Sequence, residues 1–432
     1  MQFLNEMIKI KKLSIISQIF IWFNICLILI ACNNDKSSEI NVQIKEINSF
    51  IFKNASNRST AYIENEKIVN KGKDTFLSFL DFIDNRYKIH IVHLRNDKKI
   101  EEIYIDDVVD NHGGGSIALN KDNKLCAVYG GHTSKLKYKC TVKDLNITTW
   151  SDVRIIDKNI NDIWQTYPSV EFIEESMYIL YREENSNAET RNPRLVLIEI
   201  ADDIVKNKEY IYLTDTYYSN FSSTFFIDKE RVDILLMKYG VLKDKNTKFN
   251  QGVSLFRKRD SEWLEIKIEV NNTNLEVNYY NSNLVEYNGY LYFIITDMNK
   301  STNFINLYII DKNNNCKIVN LLNYKTMQEI IKNGNKPNVR IGIDLNEKGE
   351  IFFILPFILQ DDNIWQSKTN RIHYFKLTSD LEKLELIFKS SASSWLANIE
   401  KKVVREDKIP KIVYNNFDKN ITIYKEFSNA KQ

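Results

Sequence analysis

From about Thr60 onward the chain alternates short apolar runs, rich in Ile, Val, Tyr and Phe, with turns made of Asn, Asp, Lys and Gly. Runs of this kind, alternating or continuously apolar and bounded by turn residues, read as β-strands. One phrase recurs: a strand, a polar turn, then a strongly apolar strand. It occupies residues 76–93, 116–129, 169–182, 222–239, 283–296, 341–359 and 411–427, with turns such as Lys121-Asp122-Asn123, Asp228-Lys229-Glu230, Tyr287-Asn288-Gly289 and Glu347-Lys348-Gly349. The starts of these seven phrases lie roughly 40 to 70 residues apart, a spacing suited to four-stranded blades. The pattern predicts an all-β fold, a seven-bladed β-propeller. The uneven period leaves a sandwich or a pair of β domains open. Helical periodicity is confined to Tyr324–Lys332, expected as an insertion, with one further turn expected over Asp202–Lys208.

The N-terminus has a different pattern. Lys9, Lys11 and Lys12 precede an apolar run, Leu13 to Ala31, which ends Leu29-Ile30-Ala31-Cys32. A small residue before a Cys at the end of such a run is the processing site of a bacterial lipoprotein, in which the Cys carries acyl chains. The expectation is a lipoprotein signal peptide over 1–31, a lipidated Cys32 with a polar tether over 32–58, and the propeller over 59–432. An uncleaved transmembrane anchor is the competing reading, since the run is nearly long enough to span. The lipoprotein reading implies a cell-envelope location, at the outer membrane or cell surface, with the membrane as a partner through the anchor.

Charge narrows the function. Lys and Arg number 59 against 57 Asp and Glu, and removing residues 1–31 leaves 56 of each. A neutral body without a basic stripe argues against a nucleic-acid partner. Cys126 and Cys140 flank Gly130-Gly131 almost symmetrically. A cross-strand disulfide is open, but two unpaired buried thiols are expected. No Cys/His spacing matches a zinc site.

The candidate chemistry lies between Asp110 and Arg182. Asp110-Asn111-His112-Gly113-Gly114-Gly115 is followed by Tyr129-Gly130-Gly131-His132, Thr166-Tyr167-Pro168 and Tyr181-Arg182. Five of the twelve glycines fall between His112 and His132, so both histidines are expected at turns, where side chains are free to act. His112, His132, Tyr167 and Arg182 come from consecutive phrases, and a propeller gathers such residues at one mouth of its channel.

This ordered set resembles BNR-repeat propeller proteins over residues 106–184, in particular the ulvan lyases of polysaccharide lyase family 25 and more distantly family 24. The resemblance implies a seven-bladed propeller that cleaves a uronate-containing polysaccharide by β-elimination. It implies Tyr167 as the proton-transferring residue and Arg182 as the cation that neutralises the uronate carboxylate. His112 and His132 would assist that neutralisation and hold Tyr167 and the sugar. Gly113-Gly114-Gly115 stands where the family has an Asn and a Pro, and is expected to loosen the loop after His112.

The chemistry is consistent with these residue types. The proton alpha to a carboxylate is barely acidic while that carboxylate is charged, and a paired cation stabilises the enolate-like charge that develops. Arg meets a carboxylate with two hydrogen bonds and keeps its charge. A Tyr with a free pKa of about 10 becomes a usable base beside Arg and His. The scheme requires no cofactor or metal, and the expected partner of a monomeric protein is an acidic polysaccharide. Trp164, Arg191 and Arg194 are the candidate substrate-binding residues, and Lys135 and Lys137 could extend a cationic groove. Trp150, Trp263, Trp365 and Trp395 are expected mainly in blade cores. His90 and His93 are expected on opposite faces of one strand, without a role. A non-catalytic glycan-binding propeller is the alternative. A sialidase-type hydrolase is disfavoured, because no Ser-x-Asp-x-Gly-x-x-Trp box and no spaced carboxylate pair is found.

Overall fold

In the computed structural model the apolar runs form seven sheets of four or five strands, arranged as a seven-bladed β-propeller. The structure describes residues 44–429 except 63–65, 97, 158–161, 187–190, 215–217, 220–221, 242–247, 260, 271–278, 298–303, 339, 363–366, 392 and 403–407. The expected signal peptide, Cys32 and Trp365 lie outside the described residues.

Blade 1 runs from its inner strand outward through Ile68–Lys71, Asp74–Ile83, Arg86–Arg95 and Lys98–Val108. Blade 2 is Ser116–Leu119, Leu125–Gly130, Leu136–Cys140 and Arg154–Ile155, and blade 3 is Ile163–Ile173, Ser176–Asn185, Arg194–Ala201 and Ile204–Leu213. Blades 4, 5 and 6 follow over Tyr218–Ile268, Tyr279–Asn320 and Asn335–Lys389, each with its inner strand split into two short pieces. Blade 7 contains Ser394–Ile399, Ile412–Asn416 and Ile421–Asn429, and its outermost strand is Ile44–Lys53 from the other end of the chain.

This strand corrects the expected boundary at residue 59. Residues 44–53 are blade, not tether, and the compact body is Lys45–Ser428. Asn48, Phe50 and Phe52 alternate toward the sheet, and Phe52 packs with Phe79, Val413 and Tyr424 between blades 7 and 1. Polar flanks and exposed Ile47 and Ile51 hid that alternation.

The continuous apolar runs have a direct cause. Successive side chains of a strand point to opposite faces, and both faces of a blade are covered by neighbours. In Val232–Val241, Ile234 and Leu236 pack toward blade 3, while Leu235 and Met237 pack toward blade 5. In Ser176–Asn185, Ile179 and Tyr181 face blade 2 and Leu180 faces blade 4. For blades 2 to 6 the recurring phrase is the inner strand and its neighbour. In blades 1 and 7 it is the second and third strands. The expected helix is Lys325–Lys332, preceded by a 3-10 turn, with Met327 buried. The turn expected over Asp202–Lys208 is instead a hairpin corner at Asp202 and Asp203, with Ile204–Leu213 a strand.

The inner strands enclose an axial channel of 280 Å³, to which every blade contributes. The channel carries an ion triad: Lys401 reaches Glu66 at 3.1 Å and also contacts Glu171. Burial pushes the Glu171 carboxyl above its ordinary range, with Lys401 opposing the shift. The triad joins the segment before blade 1 and the connection that follows the inner strand of blade 7 to blade 3, and Lys401–Lys402 also pairs with Val69 and Asn70 of blade 1.

One joint fixes the blade 2 hairpin loop against blade 3. Gln165 donates its backbone N–H to Ser134 O (3.0 Å) and accepts from His132 N (2.7 Å) at its carbonyl. Its side-chain oxygen accepts from Leu136 N at 2.9 Å. Gly131, with φ +90°, passes so close that a Cβ there would stand 2.1 Å from the Gln165 carbonyl oxygen. On the other side of the loop, Cys126 and Cys140 sit directly opposite each other and are disulfide-bonded. The expectation of unpaired thiols is therefore overturned. Hairpin register places the two Cβ atoms face to face, which spacing alone could not establish. Cys316 is an exposed free thiol.

Two stability predictions follow from this hairpin. Gly131→Ala should destabilise the protein by at least about 2 kcal/mol, from backbone strain together with the clash. Gly72→Ala, also at positive φ but with nothing near its Cβ, should cost only about 1 kcal/mol. Equal urea midpoints for the two variants would show that the Gln165 approach carries no weight. Replacing Cys126 and Cys140 by Ala opens a loop of separation 14. It should cost about 3 kcal/mol in the same assay, and an unchanged midpoint would contradict that.

Candidate active site

The first half of the chain converges at the mouth where the inner strands begin. Tyr167 arrives there through a bulge. The register of blade 3 pairs Thr166 with Arg182 and then Ser169 with Leu180, leaving Tyr167 and Pro168 unpaired, and Tyr167 takes a φ of +56°. A bulge of this kind re-aims a side chain out of the sheet alternation. Here it lays the Tyr167 ring over the Arg182 guanidinium, 4.9 Å from its carbon.

The two histidines stack on each other with centroids 3.9 Å apart, His112 from the loop between blades 1 and 2 and His132 from the blade 2 hairpin. Asp110 organises both. Its carboxylate meets His132 Nδ1 at 2.5 Å and lies 3.3 Å from His112 Nδ1. Burial alone would raise the Asp110 pKa, but the hydrogen bonds from the two imidazoles outweigh it and hold the carboxyl far below its usual range.

The segment leading into blade 1 completes the cluster. Arg58 donates from Nη1 to the Tyr62 hydroxyl and also contacts His112 Nε2. Tyr62 meets Tyr167 edge-on at 4.7 Å and lies over His112 at 6.2 Å. The Arg340 guanidinium sits 4.6 Å from the Tyr62 ring centre. Beneath them Trp395 packs with Tyr62 and Tyr167 and donates its indole N–H to Asn57 O at 3.3 Å. Burial, reinforced by the Arg58 and His132 charges against a partial offset from Asp110, lowers the His112 pKa below 6.5. His112 is therefore the neutral tautomer that accepts at Nε2 and carries its proton on Nδ1, facing Asp110.

His112, His132, Tyr167 and Arg182 are thus brought into one cluster. Their exposure differs. The two imidazoles are partly open, whereas Tyr167 is 7% and Arg182 2% exposed. Arg182 has Glu184 at 3.6 Å, and Arg191 has the same carboxylate at 3.8 Å while lying over the Trp164 ring at 5.4 Å. Trp164 and Arg191 therefore flank the arginine side of the cluster. Arg194 does not join it. Strand alternation puts Arg194 with Glu183, at 3.0 Å, on the face opposite Arg182 and Glu184. Lys135 and Lys137 bond to Asp157 O and Asp106 instead. His90 and His93 face opposite sides, bound to Asp81 and Asp74.

The three glycines after His112 are not loose. Added Cβ atoms would meet Val108 at 2.8 Å, Ala61 O at 3.1 Å and Tyr129 at 3.3 Å, and Lys67 Nζ holds the Gly115 carbonyl at 2.5 Å. They let the loop lie against blade 1 and the entry segment. The residues missed from sequence are Arg58, Tyr62, Arg340, Asp110 as organiser and Glu184. The one available signal was an Arg and a Tyr four apart in a stretch without strand periodicity.

Asp110, His112 and His132 offer ligand atoms within 4.8 Å of one another. The hydrogen bonding fits a metal poorly. Nε2 of His112 accepts from a guanidinium, its Nδ1 holds a proton, and the Arg58 charge would repel a cation.

Comparison with known proteins bears on the fold. Residues 69–206 match the model of the BNR repeat-containing family member type. No curated protein matches the chain in sequence. Among solved structures, a polysaccharide lyase of family 25, an ulvan lyase bound to a -[GlcA(1-4)Rha3S]- fragment, superposes with a TM-score of 0.59. It is 11% identical, and the match covers 88% of this chain and 96% of that one. The polysaccharide lyase Uly1 superposes at 0.53 with 10% identity, over 90% and 100% of the two chains. The protein is a seven-bladed propeller whose residues 69–206 match the BNR repeat-containing family model, similar in fold to these two lyases.

Proposed function

We propose that the protein is an envelope-anchored polysaccharide lyase that cleaves a uronate-containing acidic glycan by β-elimination. The observation that carries this reading is the packing of two phenols against guanidinium groups beside a neutral imidazole. In the proposed step, a base removes the proton alpha to the uronate carboxylate. Its electrons form a carbon–carbon double bond, the glycosidic C–O bond breaks, and the leaving oxygen takes a proton. Tyr167 acts as the base, its phenolate favoured by Arg182 from below. Tyr62, which accepts from Arg58 and keeps its own proton, supplies the leaving oxygen. Arg58, half-buried rather than enclosed, meets the substrate carboxylate together with His132. Arg182, already facing Glu184, acts through Tyr167. This reassigns the cation that the family resemblance placed at Arg182.

The N-terminal features support placing the protein at the cell envelope, with Cys32 as the lipidated residue at the outer membrane or cell surface. The disulfide is in keeping with an oxidising compartment. A second reading, a capture propeller without catalysis, is favoured by the near-complete burial of Tyr62 and Tyr167.

The first test is product formation. Purified protein should raise ultraviolet absorbance, from the new double bond, on at least one of ulvan, alginate, polygalacturonate and chondroitin sulfate. Tyr167→Phe and Tyr62→Phe should each lower kcat by about 10²–10⁴-fold, and Arg58→Ala should lower kcat/KM by about 10²–10³-fold. Wild-type protein that binds a polymer but yields no product would leave the capture reading standing.

The second test is pH. Protonating Nε2 of His112 would set it against Arg58. Because the folded pKa is depressed, kcat/KM should hold above 6.5 and decline only as pH falls well below it. His112→Gln keeps an acceptor for Arg58 and should lose that acid limb. An acid limb unchanged in this variant would assign it to another group.

A further inference from the structure

A second cleft opens beside the candidate site. It has a volume of 590 Å³ and lies among three turns: residues 53–57 after the N-terminal strand, the blade 1 corner at Phe82 and Tyr87, and residues 419–421 of blade 7. The turns are tied by backbone hydrogen bonds. Ala55 N donates to Asn420 O at 3.0 Å, Phe82 N to Asn54 O at 2.7 Å and Ser56 N to Leu80 O at 2.9 Å. The walls are therefore set before anything binds.

Its lining has a consistent chemistry. Lys53 and Lys419 are exposed, no carboxylate lines the cleft, and neither lysine forms an ion pair among the described residues. Phe82, 43% exposed, packs against Tyr87 with ring centroids 4.7 Å apart, giving an apolar patch. Asn54, Asn57 and Asn420 add amide donors and acceptors. Ammonium groups, an aromatic surface and amides together suit an anionic sugar chain: the lysines for acid groups, the rings for the sugar faces, the amides for hydroxyls.

The cleft also adjoins the site. Asn57 lines it, accepts from Asn111 Nδ2 at 2.9 Å, and holds the Trp395 indole N–H through its carbonyl. Asn111 precedes His112, and Asn57 precedes Arg58. A chain leaving the Arg58–His112 side of the site would cross Asn57 into the cleft.

We infer that this cleft is a distal subsite for the same acidic polysaccharide, holding a carboxylate- or sulfate-bearing unit some residues along the chain from the bond that is cut. The inference rests on the reading of the site as one for an acidic glycan. It makes Lys53 and Lys419 determinants of polymer affinity and chain-length preference, without a part in the chemical step.

The experiment compares the full protein with a Lys53→Ala/Lys419→Ala double variant and with Phe82→Ala. All three side chains are exposed, and matching thermal melts would verify folding. Binding is read by affinity electrophoresis through gels containing ulvan, alginate, polygalacturonate or chondroitin sulfate, at low and high salt. Turnover is read on the bound polymer and on its purified tetrasaccharide. The double variant should bind the polymer at least tenfold more weakly, with a smaller salt dependence. Polymer KM should rise while kcat and tetrasaccharide turnover stay as in wild type. Phe82→Ala should weaken binding with the salt dependence unchanged. Preference for the sulfated polymers over alginate and polygalacturonate would identify sulfate as the recognised group, and the reverse would identify the carboxylate. Polymer binding equal to wild type in the double variant overturns the subsite, whether or not product forms. Binding lost in the double variant, from a protein that makes no unsaturated product, upholds the subsite and removes the lyase reading. Wild-type protein that neither binds nor cleaves any of the four polymers overturns both.

Discussion

Gln165 is the residue through which the site depends on the fold. Its backbone N–H, its carbonyl and its side-chain amide are all committed to the blade 2 hairpin loop or to the Tyr181 hydroxyl, which it reaches at 3.4 Å. The loop 131–135 has no sheet partner of its own, and its first residue, Gly131, is buried against blade 3. Unpaired buried amides cost about 1–3 kcal/mol each, so a loop here needs a partner strand to persist. Blade 3 supplies it at Gln165, two residues before the bulge that turns Tyr167 out of register. The same joint therefore sets where His132 stands and where Tyr167 starts to turn. Only a glycine at 131 lets the two backbones approach this closely.

The cluster also balances charge. Three guanidinium groups, from Arg58, Arg182 and Arg340, lie near two phenols, and they would repel one another in a dry site without compensation. Asp110 and Glu184 provide it from two sides, Asp110 through the imidazoles and Glu184 against Arg182. The guanidinium groups of Arg182 and Arg58 stand between the phenols and these anions. A proton taken from or given to a phenol there changes the local charge where fixed charges already stand, so little rearrangement is needed. The stacking of His112 on His132 at 3.9 Å fits this balance, because a neutral His112 ring adds no charge beside its neighbour.

How far the sequence could be read depended on whether an arrangement left a periodic trace. Strands buried on both faces leave continuous apolar runs, so seven phrases and a propeller were legible. Phase was not: in blades 1 and 7 the phrase falls one strand further out than in the other blades. His112, His132, Tyr167 and Arg182 were legible through their order and their turn glycines. Arg58 and Tyr62 were not. They lie in an aperiodic segment after an edge strand with exposed Ile47 and Ile51, which read as a tether. Arg340 comes from blade 6, more than 150 residues away, and no local pattern links it to Tyr62. Arg194, expected to bind substrate, failed for another reason: sheet alternation turned it to the face opposite Arg182.

The axial channel bears on where a polymer can run. Its lining holds Glu66, Glu171, Glu286, Asp344 and Glu400 against Lys401. An acidic glycan would meet like charge there, and Lys401 is already committed to two carboxylates. Threading along the axis would also bring the chain past the ion triad that ties blade 7 and the segment before blade 1 to blade 3. The rim offers the reverse conditions: arginines at the site, lysines at the neighbouring cleft, and Asn57 between them. For the proposed acidic glycan, electrostatics favours a path across the mouth of the propeller rather than through it, while Glu66 and Glu171 hold Lys401 in the channel.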